Sequence, residues 1–247
     1  MTHDTGGMMG DVLDRAIAAH GGWDRWREVR RLAARVRIGG GLWSSRGKAG
    51  VLDDVQVTID TGRQHVEYAP FGTPGRHSVW EPRRTAVVAD DGRVLDSRED
   101  VHATFAGQTR DTPWDDHQLI HFSGYAMWTY LTTPFLFRRP GFEAEEIGPW
   151  QEDGEEWQRL KVLFPADILS HSREQVFYFD RDGLLRRHDY VAELIGGLPA
   201  ANYASGHRPF AGLILPARRR VYVRGPDNRP LTDRLAVSID IDGVTAS

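Results

Sequence analysis

The chain has 247 residues, of which 40% are hydrophobic and 27% are charged, enough apolar material for one large core. The formal net charge of -4 excludes the strongly basic surface that nucleic-acid binding requires. The absence of cysteine excludes disulfides, thiolate catalysis and cysteine-ligated metal centres.

Two segments bear on the cellular location of the protein. The N-terminal sequence MTHDTGGMMGDVLDR lacks the basic and apolar regions of a secretory signal, which predicts a cytoplasmic location. The longest uncharged stretch, residues 119–137, carries a histidine, a glycine, three threonines and a proline. We therefore interpret it as a buried helix and expect no transmembrane segment.

Helices are predicted at the start and in the middle of the chain. Apolar residues recur at helical spacing over residues 11–19 and are followed by Gly21-Gly22, a helix stop signal. A second short helix is expected over residues 23–29. Strand alternation stops between residues 101 and 137, where residues 114–137 are predicted to be helical with a break near Thr132-Thr133-Pro134.

The rest of the chain alternates in the two-residue period of half-buried strands, separated by short turns rich in Gly, Asp and Pro. The predicted strands are 32–38, 51–59, 64–71, 76–80, 85–88, 93–96, 142–147, 157–164, 174–180, 184–194, 210–223 and 234–241. This pattern predicts a mainly β (α+β) fold: a strongly curved antiparallel sheet or half-barrel of about ten to twelve strands. N-terminal helices precede it, and a helical lid over about 101–137 covers the hollow of one domain, 1–247.

The order of elements resembles the LolA/LolB-like half-barrel of lipoprotein carriers. The resemblance rests on Ala19-His20-Gly21-Gly22-Trp23-Asp24-Arg25-Trp26 before the first strand, on the hairpin from Phe177 to Leu184, and on the strand from Leu215 to Tyr222. The resemblance extends over most of the chain, and it concerns the architecture and not specific motifs. It implies a hollow sheet whose concave face binds an apolar molecule beneath helical lids.

The strongest candidate for acid–base chemistry is a histidine and tyrosine pair. His188 and Tyr190 are expected on one face of a strand together with Leu184 and Ala192, the face that we take to line the hollow. In an apolar pocket such a pair can act as general base and general acid near neutral pH. The alternative is a polar pair that is hydrogen-bonded within the core.

A second candidate lies in the following segment, residues 202–210, which we interpret as a connection between strands. It places Tyr203 and His207 at the rim of the pocket as further catalytic candidates. The glycine and proline around His207 also suit an ordinary connection.

The central helix offers binding and metal candidates. His117 and His121 lie four residues apart on one helical face, the spacing of zinc ligands, but no third ligand and no catalytic glutamate are evident. We therefore predict no metal and no cofactor. His121, Tyr125 and Trp128 are expected to contact a ligand, as are Leu184 and Ala192 from the sheet; the aromatic stripe of this helix is equally typical of a core.

Three functions are compatible with these features. The first is a cofactor-independent enzyme of the isomerase, cyclase or lyase type, acting on a small hydrophobic molecule with His188, Tyr190, His207 and Tyr203. The second is a non-catalytic carrier of a lipid or other apolar ligand. The third is an interaction module whose hollow is filled by its own aromatic side chains.

Overall fold

The computed structural model describes residues 11–247. Its first helices are α1 (Asp11–Ala19) and α2 (Trp23–Glu28), and both were predicted. A short helix, α3 (Gly41–Ser45), follows the first strand, and the longest helix is α4 (Asp116–Thr132). Short 3-10 turns occur at 101–105, 135–138 and 193–195. Within residues 11–247, no helix is long and apolar enough to cross a membrane.

The described residues include fourteen strands in one sheet. Six lie before α4: β1 (Arg31–Gly39), β2 (Val55–Asp60), β3 (Val66–Ala69), β4 (Arg76–Glu81), β5 (Arg84–Ala89) and β6 (Val94–Glu99). Eight lie after it: β7 (Glu143–Glu146), β8 (Trp150–Glu152), β9 (Glu155–Leu163), β10 (Glu174–Phe179), β11 (Leu185–Ala192), β12 (Leu198–Phe210), β13 (Leu213–Arg224) and β14 (Pro230–Ala246).

The sheet is antiparallel and open. Its order is β6-β5-β4-β3-β2-β1-β14-β13-β12-β11-β10-β9-β7, and β8 pairs with β9 outside this path. Each half is a meander of sequential hairpins, and the pairing of β1 with β14 joins the two halves. The curved antiparallel fold is therefore confirmed, with two more strands than the upper limit of the prediction.

Helix α4 fills the concave side, which we call the inner face of the sheet. Asp115 caps the helix and forms a reciprocal capping box with Gln118. Every residue from His117 to Thr132 is buried, because the segment carries no charge after Asp116 and is surrounded on all sides. The helix predicted over 114–137 is thus confirmed, with the expected break after Thr132.

The packing of α4 is uneven across the sheet. The helix packs most closely on β3, β4 and β5. At Gly124 a Cβ atom would lie 2.4 Å from Trp80 Cγ, so only glycine allows this approach. The other half of the inner face, β11 to β14, lies farther from the helix, and this gap forms the cleft described below.

The predicted local structure is wrong in three places. Residues 202–210 are not a connection, because they belong to β12, which pairs with β11 and β13. Strand β8 was also missed. A bulge between β10 and β11 displaces Leu184 into the hairpin turn, so it does not share the face of His188. That residues 1–247 form one domain stays a prediction.

Candidate functional site

An apolar cleft separates α4 from the inner face of β11 to β14. The empty space between its walls, including the part open to solvent, is about 540 Å³, and only a small share of it is wide enough for a water molecule. A few waters fit there, and a larger ligand requires the walls to move apart. The lining is almost wholly apolar and includes Trp43 from α3, Ala126 and Met127 from α4, and Ala192, Ala200, Val221 and Ile239 from the sheet.

A small group of hydrogen-bonded rings is the polar part of this lining. The Tyr130 hydroxyl lies 2.9 Å from the Tyr190 hydroxyl and 3.0 Å from His171 Nε2. The His171 ring stacks on Tyr190 with centroids 3.9 Å apart, and His171 Nδ1 has no hydrogen-bond partner among the described residues. The prediction thus placed Tyr190 correctly at the cleft and missed its two partners.

His188 lies behind these rings in a row of polar side chains across the inner face. Its Nε2 atom donates to Gln175 Oε1 (2.5 Å), and its ring stacks on Phe177 with centroids 4.1 Å apart. In the sheet register His188 is opposite Asn202. On the next strand Arg219 is diagonal to Asn202. We call Gln175, His188, Asn202 and Arg219 the polar row; all four side chains are buried.

Burial sets the charge of these groups. It lowers the pKa of His171 to about 3. It also holds the pKa of His188 well below its usual value, with further lowering from Arg219 and His171. Burial raises the pKa of Tyr130 to about 12 and that of Tyr190 well above its usual value. At neutral pH the two histidines and two tyrosines are therefore uncharged.

Tyr203 lies on the opposite, outer face of the sheet. Its register partner is Arg187, and the Arg187 Nη1 atom donates to the Tyr203 hydroxyl at 3.2 Å. The hydroxyl itself donates to Glu152. Tyr203 is thus separated from His188 by the thickness of the sheet, because neighbouring residues on a strand alternate between its faces.

Arg187 is the centre of this outer cluster, which also contains Asp189, Glu152, Tyr203, Tyr178 and Asn228. Its guanidinium donates twice to Asp189, at 2.6 and 2.8 Å, and once to Glu152 at 2.8 Å. A fourth hydrogen bond reaches the Asn228 carbonyl at 2.6 Å. The charge of Arg187 is therefore balanced by two buried carboxylates.

His207 occupies a third location, near the end of α1. Its ring centroid lies 5.9 Å from that of His20, and its Nε2 atom has no hydrogen-bond partner in the described part of the chain. Burial lowers the pKa of His207 to about 3 and that of His20 to about 4. The four residues predicted as catalytic are thus divided among three places: only His188 and Tyr190 are neighbours, with ring centroids 4.9 Å apart.

The residues predicted to bind a ligand are also dispersed. Ala192 lines the cleft, and Tyr125 lies beside it, with its ring 4.9 Å from that of His171. Trp128 instead donates to the Asp60 carbonyl at 2.8 Å, and His121 lies against Trp80 on the closely packed side of α4. Leu184 is in the hairpin turn.

The two histidines of the proposed zinc spacing have separate partners. His117 Nδ1 lies 2.7 Å from Thr85 Oγ1, and its Nε2 lies 3.1 Å from Asp96. His121 Nδ1 accepts from Trp80 Nε1 at 3.4 Å. Residues 11–247 contain no group of three or more His, Cys, Asp or Glu side chains placed to hold a metal.

Comparison with known proteins gives the fold. Neither a protein-family model nor a curated protein matches the chain. Among solved structures, a LolA superfamily protein from Nitrosomonas europaea covers 97% of this chain and 93% of its own at a TM-score of 0.51 and 8% identity. A domain from Vibrio parahaemolyticus assigned to outer membrane lipoprotein sorting covers 96% of this chain and 91% of its own, at a TM-score of 0.52 and 7% identity. The chain has a LolA-like fold.

A third structural neighbour is a DUF1329 family protein from Desulfovibrio piger, which covers 97% of this chain and 93% of its own at a TM-score of 0.51 and 12% identity. These neighbours confirm the resemblance inferred from the sequence. They also correct the predicted location: because the Vibrio domain is assigned to outer membrane sorting, they point outside the cytoplasm, and the cytoplasmic prediction is wrong. Residues 1–10, which carried much of that prediction, lie outside the described residues.

Proposed function

We propose that this protein binds a lipid or similar long apolar molecule in the cleft between α4 and β11 to β14, and carries or sequesters it without chemical change. The observation that carries the proposal is the cleft itself. Its walls are apolar, and it lies where the helix and the sheet separate. A site of this kind favours an apolar ligand because burial of apolar surface supplies the free energy.

The fold supports the same function. Two neighbours of this fold are a LolA superfamily protein and a domain assigned to outer membrane lipoprotein sorting. At 7–8% identity the likeness concerns architecture, so the ligand of this chain has to be argued from its own cleft.

Acid–base catalysis by His188 and Tyr190 is the weaker candidate. A general base works best when its pKa is near the working pH. Burial moves the pKa of His188 and of His171 far below that range and the pKa of Tyr190 far above it. Neutral groups of this kind suit hydrogen bonding to a ligand better than proton transfer.

Filling the cleft tests the proposal. Ala126 lies on α4 and lines the cleft, so Ala126→Trp places an indole where the ligand would lie. The uncharged dye Nile red, which fluoresces in apolar surroundings, reports occupancy by titration. We expect the wild-type protein to bind the dye and A126W to bind it at least about tenfold more weakly, because a filled cleft excludes an apolar guest.

Ala103→Trp is the matched control, because Ala103 is exposed in the 3-10 turn at 101–105 and does not line the cleft. A103W should bind the dye as the wild type does. Thermal unfolding of both variants verifies that they remain folded. Equal binding by A126W and A103W, or no binding by the wild type, would exclude this cleft as the site.

A further inference from the structure

Arg219 is a buried cation without a counter-charge. Its side chain lies on the inner face of β13 and is 2% exposed. Its Nη2 atom donates to the Tyr130 carbonyl at 3.0 Å, and its guanidinium carbon lies 4.8 Å from the centroid of the Tyr130 ring. Its Nη1 atom has no hydrogen-bond partner, and no carboxylate lies within ion-pair distance among residues 11–247.

This arrangement is unfavourable for the ligand-free protein. A guanidinium stays charged when buried, and an isolated buried charge has a large free-energy cost. Burial lowers the pKa of Arg219 to about 10, so the group is still protonated at pH 7. Because guanidinium groups form strong charge-assisted hydrogen bonds with carboxylates and phosphates, an anion at this place would supply the missing counter-charge.

A second buried polar group beside Arg219 is also unsatisfied. Asn202 is opposite His188 and diagonal to Arg219 on the inner face. Neither its amide nitrogen nor its amide oxygen has a hydrogen-bond partner of normal geometry in the described structure, although the side chain is 0% exposed; it lies close enough to the Tyr130 hydroxyl to lower the pKa of that group. Buried amides normally have hydrogen-bond partners, so the Asn202 amide has donor and acceptor capacity for a ligand.

The apolar cleft leads to this location. A narrow crevice, too tight to admit a water molecule with its walls as they stand, continues beneath α4 and is lined by Arg219. Met127, Tyr130 and Ile239 line both the cleft and the crevice, so the two spaces adjoin. A slender molecule in the cleft reaches the guanidinium only when the walls of the crevice move apart, as the cleft itself requires for a ligand larger than water.

We propose that Arg219 and Asn202 bind the anionic end group, a carboxylate or a phosphate, of a ligand whose acyl chain occupies the cleft. A guanidinium forms paired hydrogen bonds with either group, and the Asn202 amide supplies a further donor. The inference rests on the proposed function and adds the chemical class of the ligand: a long-chain anion.

Displacement of Nile red from the full-length protein at pH 7.4 tests this inference. Oleate and oleyl alcohol share the acyl chain and differ in charge, so their ratio measures recognition of the anion. We expect oleate to displace the dye at least about tenfold more effectively than the alcohol, as a charge-assisted hydrogen bond implies. Oleoyl lysophosphatidate, compared with oleate, distinguishes a phosphate from a carboxylate end.

Arg219→Met should reduce the preference for oleate over the alcohol to about twofold or less, because the change removes the charge that distinguishes the two compounds. Arg218→Met is the matched control, since Arg218 is exposed on the same strand, and it should retain the preference. Asn202→Leu should reduce the preference in part and serves as a second variant if R219M folds poorly.

The outcomes separate this inference from the proposed function. If the wild type binds oleate and oleyl alcohol equally, or if R219M keeps the preference, the anion site is refuted while the cleft still binds lipid. If neither compound displaces the dye and the dye itself does not bind, the proposed function fails.

Discussion

Arg187 and Arg219 are both buried in the same sheet, two strands apart, but their surroundings are opposite. On the outer face, Arg187 meets two carboxylates, and its hydrogen bonds are short and many. On the inner face, Arg219 meets one carbonyl and the face of a tyrosine. The difference indicates that Arg187 stabilises the fold and that Arg219 binds the ligand.

The reason is energetic. A buried ion pair with all its hydrogen bonds is close to neutral in free energy, whereas loss of one partner leaves the other charge uncompensated. The outer cluster is complete within this chain. The polar row is incomplete, because Arg219 and Asn202 both have unpartnered atoms. We expect the two regions to respond differently to the same kind of substitution.

The largest expected difference is between Arg187→Met and Arg219→Met in ligand-free protein. R187M leaves Glu152 buried without its cation and leaves Asp189 with Arg224 alone, at 3.5 Å, and we expect it to lower the free energy of unfolding by about 3–5 kcal/mol. R219M removes an uncompensated charge, and we expect no change or a gain of about 1–2 kcal/mol. Urea denaturation measures both. Similar losses in the two variants would show that the proposed contrast does not exist.

The second prediction concerns the pH dependence of stability, because the inner face contains buried histidines and the outer cluster contains none. Burial lowers the pKa of His171 to about 3 in the folded chain. Unfolded histidine titrates near 6.5, so below that pH the unfolded state binds a proton that the folded state does not. His171 therefore destabilises the fold by about 1.4 kcal/mol per pH unit as the pH falls from about 6.5 towards 3.

His171→Phe removes this contribution. We expect the loss of stability between pH 6 and pH 4.5 to be about 2 kcal/mol smaller in H171F than in the wild type. Denaturant midpoints at several pH values measure the slope. His102→Phe, at an exposed position, is the control and should keep the slope of the wild type; an unchanged slope in H171F would mean that His171 is protonated with ordinary affinity in the folded chain.

The smallest effects are expected for neutral groups. Tyr203→Phe removes a hydroxyl that Glu152 and Arg187 use, and we expect a loss of about 1–2 kcal/mol. Asn202→Leu removes an amide without partners and should change the free energy of unfolding by less than about 0.5 kcal/mol or raise it. Thermal unfolding with ligand absent tests the pair, and a larger loss in N202L than in Y203F would contradict the comparison.

Most of the fold could be predicted from local patterns. The periodicity of apolar residues predicted α1, α4 and twelve of the strands. Each of these segments buries one face or all of its faces, and the buried positions are apolar at the matching spacing. Strand β12 was missed since Pro199, Gly206 and Pro209 are typical of turns. Its ladders with β11 and β13 outweigh these local preferences, as is usual for strands.

The site was only partly predictable. Tyr190 and His188 could be assigned to one face because alternation on a strand is regular. His171 lies outside every helix and strand, in a segment without periodicity, so nothing in the sequence associates it with Tyr130. Arg219 has an arginine on each side in the sequence. Alternation along a strand predicts that these two neighbours point to the opposite face of the sheet. The pattern does not reveal which of the three arginines is buried without a carboxylate partner.

The sequence by itself determined the curved antiparallel sheet, the buried helix and the apolar character of the space between them, because these follow from repeating patterns of burial along the chain. Only the tertiary structure decided that Tyr203 and His207 lie away from His188, and that Arg187 is neutralised while Arg219 is not. The surroundings of each arginine depend on residues far apart in sequence, such as Glu152 beside Arg187 and Tyr130 beside Arg219. These residues come together only when the sheet curves around its helix.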